Sequence, residues 1–244
     1  MSASNFKAAC YAATRNLYCE MAAAAKSLLA HSDVDRIFFL AEDDELPFWL
    51  PDCIEVVNVS EQPFFSQDGP NFRNGWTWMV LMKVALHRLF PDLERILYLD
   101  VDTFCNADVS ELWDLEPEGN WWFAGAIEPV KTEPDRPYIN AGVMLENLAQ
   151  LRRDGKGDEL IRALNSRPFL YCEQDCIAEL CQRGIIPLSS QYNANAFTLP
   201  CASPKIVHYA AVYRWPEKPL ARAWRERSWE TILEERRKKR CLIP

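Results

Sequence analysis

Histidine is scarce in this 244-residue chain, with three in all, and glycine is low at eight. No apolar run approaches the ~20 residues of a membrane-spanning helix. The opening stretch, MSASNFKAACYAATRN, holds no continuous apolar signal core. Repeats and flexible linkers are absent. None of the nine cysteines forms a Cys-x-x-Cys pair, and Cys172, Cys176 and Cys181 have the wrong spacing for a zinc site but suit one helix face. Reduced, mostly buried thiols in a cytoplasmic protein are therefore expected. A basic excess is also missing: 27 Lys and Arg stand against 35 Asp and Glu, a formal charge of −8. That balance argues against a general nucleic-acid binder, which needs a basic face to neutralise phosphates.

What is present is an ordinary globular composition, 49% apolar and 25% charged, long enough to bury a large core without staples. The charge is unevenly spread. Residues 214–244 carry 10 basic and 5 acidic residues, leaving 17 basic and 30 acidic in the rest. Trp215, Trp224 and Trp229 accompany the basic run Arg236–Arg240. Tryptophans beside a basic cluster suit peripheral contact with an anionic membrane surface, while a solvated terminus explains the charges equally well.

Short apolar runs alternate with helical spacing. Phe6–Ala13, Arg36–Ala41, Cys53–Val59 and Arg95–Leu99 read as buried strands. Residues 16–30 and 76–90 read as helices, with Pro91 closing the second, and residues 60–74 as a long loop. Further strands are expected at 120–127, 138–145 and 205–210, and helices at 148–164, 173–183 (with Gly184 as the stop) and 224–239. This is an α/β pattern.

Four segments carry candidate chemistry. Tyr98–Phe104 (YLDVDTF) ends a strand on Asp100 and Asp102. Carboxylates at i and i+2 diverge along a strand, but at its carboxyl end a bend brings both to one cation. In open α/β sheets that edge binds ligands. Hard divalent ions take a few carboxylates and complete their shell with phosphate oxygens. His208, in KIVHYA, becomes significant only as a third ligand, which favours Mn²⁺ over Mg²⁺. In Tyr138–Leu148 (YINAGVMLENL), an amide followed by small residues suits close approach of a hydroxylated ligand. Glu173, Gln174 and Asp175 open a helix, where the dipole alone would justify acids, yet they could equally face a cleft.

Taken together and in order, RILYLDVDTFCNADVSELWDL, YINAGVMLENL, EQDCIAEL and KIVHY resemble glycosyltransferase family 8, the retaining nucleotide-sugar transferases that include glycogenin and bacterial lipooligosaccharide galactosyltransferases. The resemblance runs from about residue 6 to 219. It implies a single nucleotide-diphospho-sugar transferase domain of the A type, a Rossmann-like mixed sheet with helices on both faces, over residues 1–220, followed by a basic helix and tail at 221–244. It implies that Asp100, Asp102 and His208 hold Mn²⁺, with Mg²⁺ as the alternative. Thr14 and Tyr18, with Asp100 and Val101, would contact the nucleotide of a UDP-sugar. Lys83, Asn140, Ala141, Gly142 and Gln174 would line the sugar pocket, and Arg214 or Lys218 would neutralise the diphosphate. Glu173, Gln174 and Asp175 are the catalytic candidates, and the acceptor would be the hydroxyl of a carbohydrate or glycoconjugate. Glu128 lies where some members carry a sugar-contacting aspartate. The chain departs from the pattern at Glu173, where aspartate is usual, at Ala211, where glycine is expected, and at Leu220, in place of tryptophan.

Two other readings stay open at this stage. One is a nucleotide-sugar-binding module without turnover. The other is a phosphohydrolase of the haloacid dehalogenase type with Asp100 as nucleophile. Phe104 and the mid-chain position of the motif disfavour the second.

Overall fold

The computed structural model describes residues 6–73, 75–210 and 218–240. In chain order, the strands are β1 (Ala8–Ala12), β2 (Arg36–Ala41), β3 (Ile54–Asn58), β4 (Arg95–Leu99), β5 (Thr103–Cys105), β6 (Phe123–Ile127), β7 (Ile139–Asn147), β8 (Ile185–Leu188) and β9 (Ile206–His208). The α-helices are α1 (Tyr18–His31), α2 (Leu86–Leu89), α3 (Leu148–Arg153), α4 (Lys156–Ser166), α5 (Cys172–Leu180), α6 (Pro219–Glu226) and α7 (Trp229–Arg240).

Seven strands form one sheet in the order β3-β2-β1-β4-β7-β6-β8, and β5 pairs with β9 as a separate ribbon. The first four in that order are parallel, while β7 runs antiparallel to both its neighbours. Strand β1 is buried over nearly its whole length, as its apolar sequence requires of a strand covered on both faces. One face packs on α1, α6 and α7, with Tyr11, Phe39 and Leu145 at its centre. The other packs on the segment 78–90 and on α3, α4 and α5 through Tyr98, Met144 and Ile177. The expected mixed sheet with helices on both faces is what is found.

Several local expectations need correction. Residues 76–90 do not form one α-helix: Trp78–Ala85 winds as a 3₁₀-helix, and only Leu86–Leu89 continues as α2. Met79 and every residue from Leu81 to Leu86 are buried, so packing around the whole circumference overrides the usual one-sided stripe. The helix expected at 148–164 breaks at Gly155, which takes a left-handed φ of 62°. Gly184 is no left-handed stop. A Cβ there would lie 2.1 Å from the Trp122 ring, so this glycine makes room for an indole. After it comes β8, which was not anticipated and which tolerates Pro187 because it lies at the sheet edge.

The C-terminal helix is also split, at residues 227–228, with the Ser228 hydroxyl accepting from Thr231 N–H at 3.3 Å. Trp224 and Trp229 are buried in the core shared with α1, so neither can anchor the chain at a membrane surface; Trp215 lies outside the described residues. Several basic groups of this segment are engaged as well. Arg225 pairs with Glu20, Arg236 binds the Val34 carbonyl, and the Lys239 ammonium donates to the Ala30 carbonyl at 2.5 Å. No helix among the described residues is long and apolar enough to cross a membrane.

The buried thiols are inert by environment: burial pushes Cys105 and Cys181 up to about 12. Glu146, in the middle of the sheet, is fully buried, with no hydrogen-bond partner for either oxygen among the described residues. Burial holds its carboxyl well above the usual range.

His87 gives a test of packing away from the cleft. Its ring lies over Gly157, where a Cβ would sit 2.4 Å from two ring atoms, and its Nε2 faces Asp158 Oδ1 at 3.1 Å. Gly157→Ala is expected to cost about 1–3 kcal/mol by overpacking. Thermal denaturation should show a fall of roughly 2–12 °C for a chain of this size. An unchanged midpoint would contradict this packing.

Candidate functional site

The sheet reverses its winding between β1 and β4, the arrangement that opens a crevice at the carboxyl ends of parallel strands. A cleft of about 850 Å³ lies there, with Ala12 at the end of β1 and Asp100 just past β4 among its walls.

Asp100 and Asp102 converge through a tight turn. Thr103 N–H donates to the Asp100 carbonyl at 3.1 Å, and the Thr103 hydroxyl donates to the same oxygen at 2.7 Å. The chain then enters β5, whose antiparallel partner β9 sets Thr103 opposite His208. Tyr209 N–H closes the ribbon onto the Asp102 carbonyl at 3.0 Å. Residues separated by more than a hundred positions thus meet, and one donor atom from each of Asp100, Asp102 and His208 lies within 4.8 Å of the others. His208 Nε2 is 3.2 Å from Asp102 Oδ1 and 3.9 Å from Asp100 Oδ2.

Gly142, on β7, floors this cradle. A Cβ there would lie 2.1 Å from His208 Cε1 and 2.9 Å from Asp100 Oδ2. The donor set is two hard carboxylate oxygens and one imidazole, facing a cleft, and it fits a divalent cation. Burial opposes charge on both His208 and Asp102, yet their mutual attraction prevails. It raises the histidine and lowers the aspartate from their ordinary values. A positive charge is favoured between these groups.

Lys83, from the 3₁₀-helix, is buried and bridges two carboxylates. Its Nζ is 3.0 Å from Asp100 Oδ1 and 2.9 Å from Glu173 Oε1. Burial would lower its pKa, but the two acids more than offset this and keep it charged. Tyr98 adds its hydroxyl to the same Asp100 oxygen at 3.1 Å. Glu173 is raised above the usual carboxylate range by burial, with Lys83 opposing. The residue before it, Cys172, has a φ of 48°, and no other non-glycine among the described residues has a positive φ. This left-handed turn, costing on the order of 1 kcal/mol, aims the start of α5 inward.

The remaining wall is an amide network. Glu128 is buried and its carboxylate accepts from Asn140 Nδ2 at 2.7 Å and Gln174 Nε2 at 3.3 Å. Gln174 Oε1 in turn accepts from Ala141 N–H at 2.8 Å. Lys131 pairs with Glu128 at 3.3 Å and lies 3.4 Å from the Tyr171 ring centre.

The candidates named from sequence divide as follows. Lys83, Asp100, Val101, Asp102, Asn140, Gly142, Glu173, Gln174, His208 and Lys218 line the cleft. Ala141 is buried behind it and reaches it through Gln174. Asp175 is turned away: it accepts from the Tyr138 hydroxyl at 2.5 Å and from Tyr171 N–H at 2.8 Å, a bracing role at the helix start. Thr14 and Tyr18 are not among the lining residues, where Leu17 and Glu20 stand instead. Tyr18 is buried, its hydroxyl donating to Asp43 at 3.0 Å and accepting from Glu42 N–H at 2.9 Å. Arg214 lies outside the described residues. Sequence reasoning missed Asn193, Trp76 and Phe197. Trp76 and Phe197 line the cleft, and Asn193 backs His208 from within the core. None of them sits in a patterned motif.

A sequence model described as Glycosyl transferase family 8 matches residues 11–219. A Haemophilus influenzae protein described as an inferred glycosyltransferase is 24% identical over 147 residues, taking in 54% of this chain and 44% of that relative. The match thus spans less than half the length of that protein. Among solved structures, the glycosyltransferase GlyE of Streptococcus pneumoniae superposes with a TM-score of 0.73 at 19% identity, over 97% of this chain and 64% of that one. The galactosyltransferase LgtC, solved with donor and acceptor sugar analogues, gives 0.64 at 20% identity, over 95% of both chains. Mouse xyloside xylosyltransferase 1 gives 0.61 at 18%, over 84% and 98%. At these identities the structural likeness speaks for the fold.

Proposed function

The chain belongs to glycosyl transferase family 8, and from that premise we propose that it transfers a hexose-type sugar, with retention, from a UDP-sugar to the hydroxyl of a carbohydrate or glycoconjugate. The observation that carries the proposal is the convergence of Asp100, Asp102 and His208 on one point of the cleft, beside the buried Lys83. These three residues would hold Mn²⁺, or Mg²⁺ in its place. When bound, such an ion acts as a Lewis acid that stabilises charge growing on the leaving diphosphate.

In the same reading, the chain's own residues perform the rest. The Lys83 ammonium, pre-set in a site shielded from water, holds Asp100 and Glu173 in place and adds positive potential near the departing phosphates. Lys218 lines the same cleft and supplies a second cation. Asn140, Gly142 and Gln174 present amide groups and a close backbone to the hydroxyls of the donor sugar. Glu173 is tied to Lys83, and Asp175 is held by Tyr138 and Tyr171. Neither is poised as a free nucleophile, which favours same-face attack with Gln174 beneath the sugar. The acceptor would enter past Trp76 and Tyr171, half-exposed rings 5.9 Å apart on the rim. Aromatic faces of this kind suit the apolar side of a pyranose. A cytoplasmic setting, in keeping with the buried thiols, belongs to the same proposal.

Phosphohydrolysis with Asp100 as nucleophile is not favoured. Its Oδ1 already accepts from the Tyr98 hydroxyl and pairs with Lys83.

The proposal is tested by thermal denaturation across a set of nucleotide sugars with Mn²⁺, then with a chelator. A ligand at 100 times its Kd stabilises by about 2.7 kcal/mol, which raises the midpoint by roughly 5–11 °C in a chain of this length. The shift is expected for UDP-sugars with Mn²⁺ and should vanish on chelation. No shift with any nucleotide sugar would refute the reading.

A further inference from the structure

We infer that Asn193 is a positioning residue that holds a proton on His208 Nδ1 and so leaves Nε2 as the atom that meets a cation between the two aspartates. The functional side of this inference rests on the metal reading above; the proton placement rests on hydrogen bonds alone.

Backbone N–H groups fix which end of each amide is oxygen. Gly142 N–H can only donate, and it points at one end of the Asn140 amide at 3.1 Å. That end is therefore the oxygen, and the other end is the NH₂ that donates to the Glu128 carboxylate at 2.7 Å. The Asn140 oxygen is 2.9 Å from one end of the Asn193 amide, and the Asn140 backbone carbonyl lies 3.3 Å from that same end. Two acceptors require a donor, so this end of Asn193 is its NH₂. The other end is its oxygen.

A second, independent anchor gives the same answer. Phe197 N–H and Thr198 N–H both donate to one end of the Asn195 amide, at 2.8 and 3.2 Å, which must be oxygen. The NH₂ of Asn195 then faces Asn193 at 2.8 Å, and the atom it meets must accept. Both routes identify the atom 2.9 Å from His208 Nδ1 as the Asn193 oxygen. His208 Nδ1 must therefore carry hydrogen. Nε2 faces Asp102 and Asp100, which call for a proton there when no cation is bound, and with Nδ1–H held by Asn193 it is the nitrogen left to meet a cation.

Asn193 has no exposed surface and His208 almost none, so water offers neither group a competing partner. The amide also ties the imidazole to Asn140 and Glu128, linking the metal cradle to the wall assigned to the sugar. Such partners behind a ligating histidine typically contribute 10–100-fold to metal affinity by fixing tautomer and ring direction.

Two measurements test this. In wild-type protein, ¹⁵N NMR of the His208 imidazole should show Nδ1 protonated, both metal-free and with diamagnetic Mg²⁺ bound. A bare Nδ1 in either state would overturn the inference. Mn²⁺ affinity, titrated with UDP present, should fall about 10–100-fold in Asn193→Ser, whose hydroxyl is too short to reach the ring. Asn193→Asp keeps an acceptor at His208 but leaves both Asn140 oxygens without their donor, so it is read by the ring spectrum, in which Nδ1 should stay protonated. Wild-type affinity in the serine variant would also overturn it. If the wild type itself bound no Mn²⁺, the metal reading would fall, and the ring spectrum alone would decide the tautomer.

Discussion

Asp102→Asn is expected to lower metal-dependent release of UDP from a UDP-sugar by about 10³-fold. The substitution keeps the side-chain volume but removes an anionic oxygen from a three-residue donor set. Several kcal/mol of charge stabilisation depend on a correctly held ion, and ~4 kcal/mol is a factor of roughly 10³ in rate. The fold should survive. Asp102 makes its side-chain contact with His208, and the backbone of the turn is held by Thr103 and Tyr209. Circular dichroism should match wild type while Mn²⁺-dependent turnover is lost. Undiminished turnover would remove Asp102 from the metal set.

The second large effect is expected at Lys83. Replacing it with methionine keeps most of the volume but leaves Asp100 and Glu173 facing an empty charge position, each having been about 3 Å from the ammonium. Breaking a buried ion pair from one side costs on the order of 3–5 kcal/mol, because the remaining charge is desolvated without compensation. A loss of that size lowers the thermal midpoint by roughly 6–20 °C. The defect should depend on pH in a definite direction. Burial already raises Glu173, and Lys83 opposes that rise. Without the lysine, the folded-state pKa climbs further above the unfolded one. Stability then persists while the carboxyl is protonated and is lost as pH rises through the folded pKa. The variant should therefore lie nearer to wild type at about pH 5 than at about pH 8. An equal deficit at both would show that Glu173 does not titrate in response.

Much of this site is legible in the sequence. Asp100 and Asp102 stand where an apolar strand stops, and a strand end in an α/β sheet is where a ligand edge is expected. Gly142 and Asn140 sit in one short motif, and Glu173 and Gln174 open one helix. These features are local, and the chemistry of the residues announces them. Other candidates have partners that the sequence does not reveal. Asp175 looks equivalent to Glu173 in sequence, yet the Tyr138 hydroxyl turns it into a brace. Tyr18 looks available, yet Asp43 and Glu42 occupy its hydroxyl. Trp224 and Trp229 look like membrane anchors beside a basic run, yet α1 buries them. In each case the deciding partner lies on a distant part of the chain.

By itself, then, the sequence determined the α/β class, the strand-end carboxylates, the small-residue approach on β7 and membership of one enzyme family, because each depends on residue type and near-neighbour spacing. The tertiary structure alone decided the rest. It set the β5–β9 pairing that carries His208 to Asp102 and the lysine that bridges Asp100 and Glu173. It also set the amide chain through Asn193 that places a proton on one ring nitrogen. Hydrogen bonds and ion pairs depend on distances of about 3 Å between groups far apart along the chain, and no spacing rule encodes such distances.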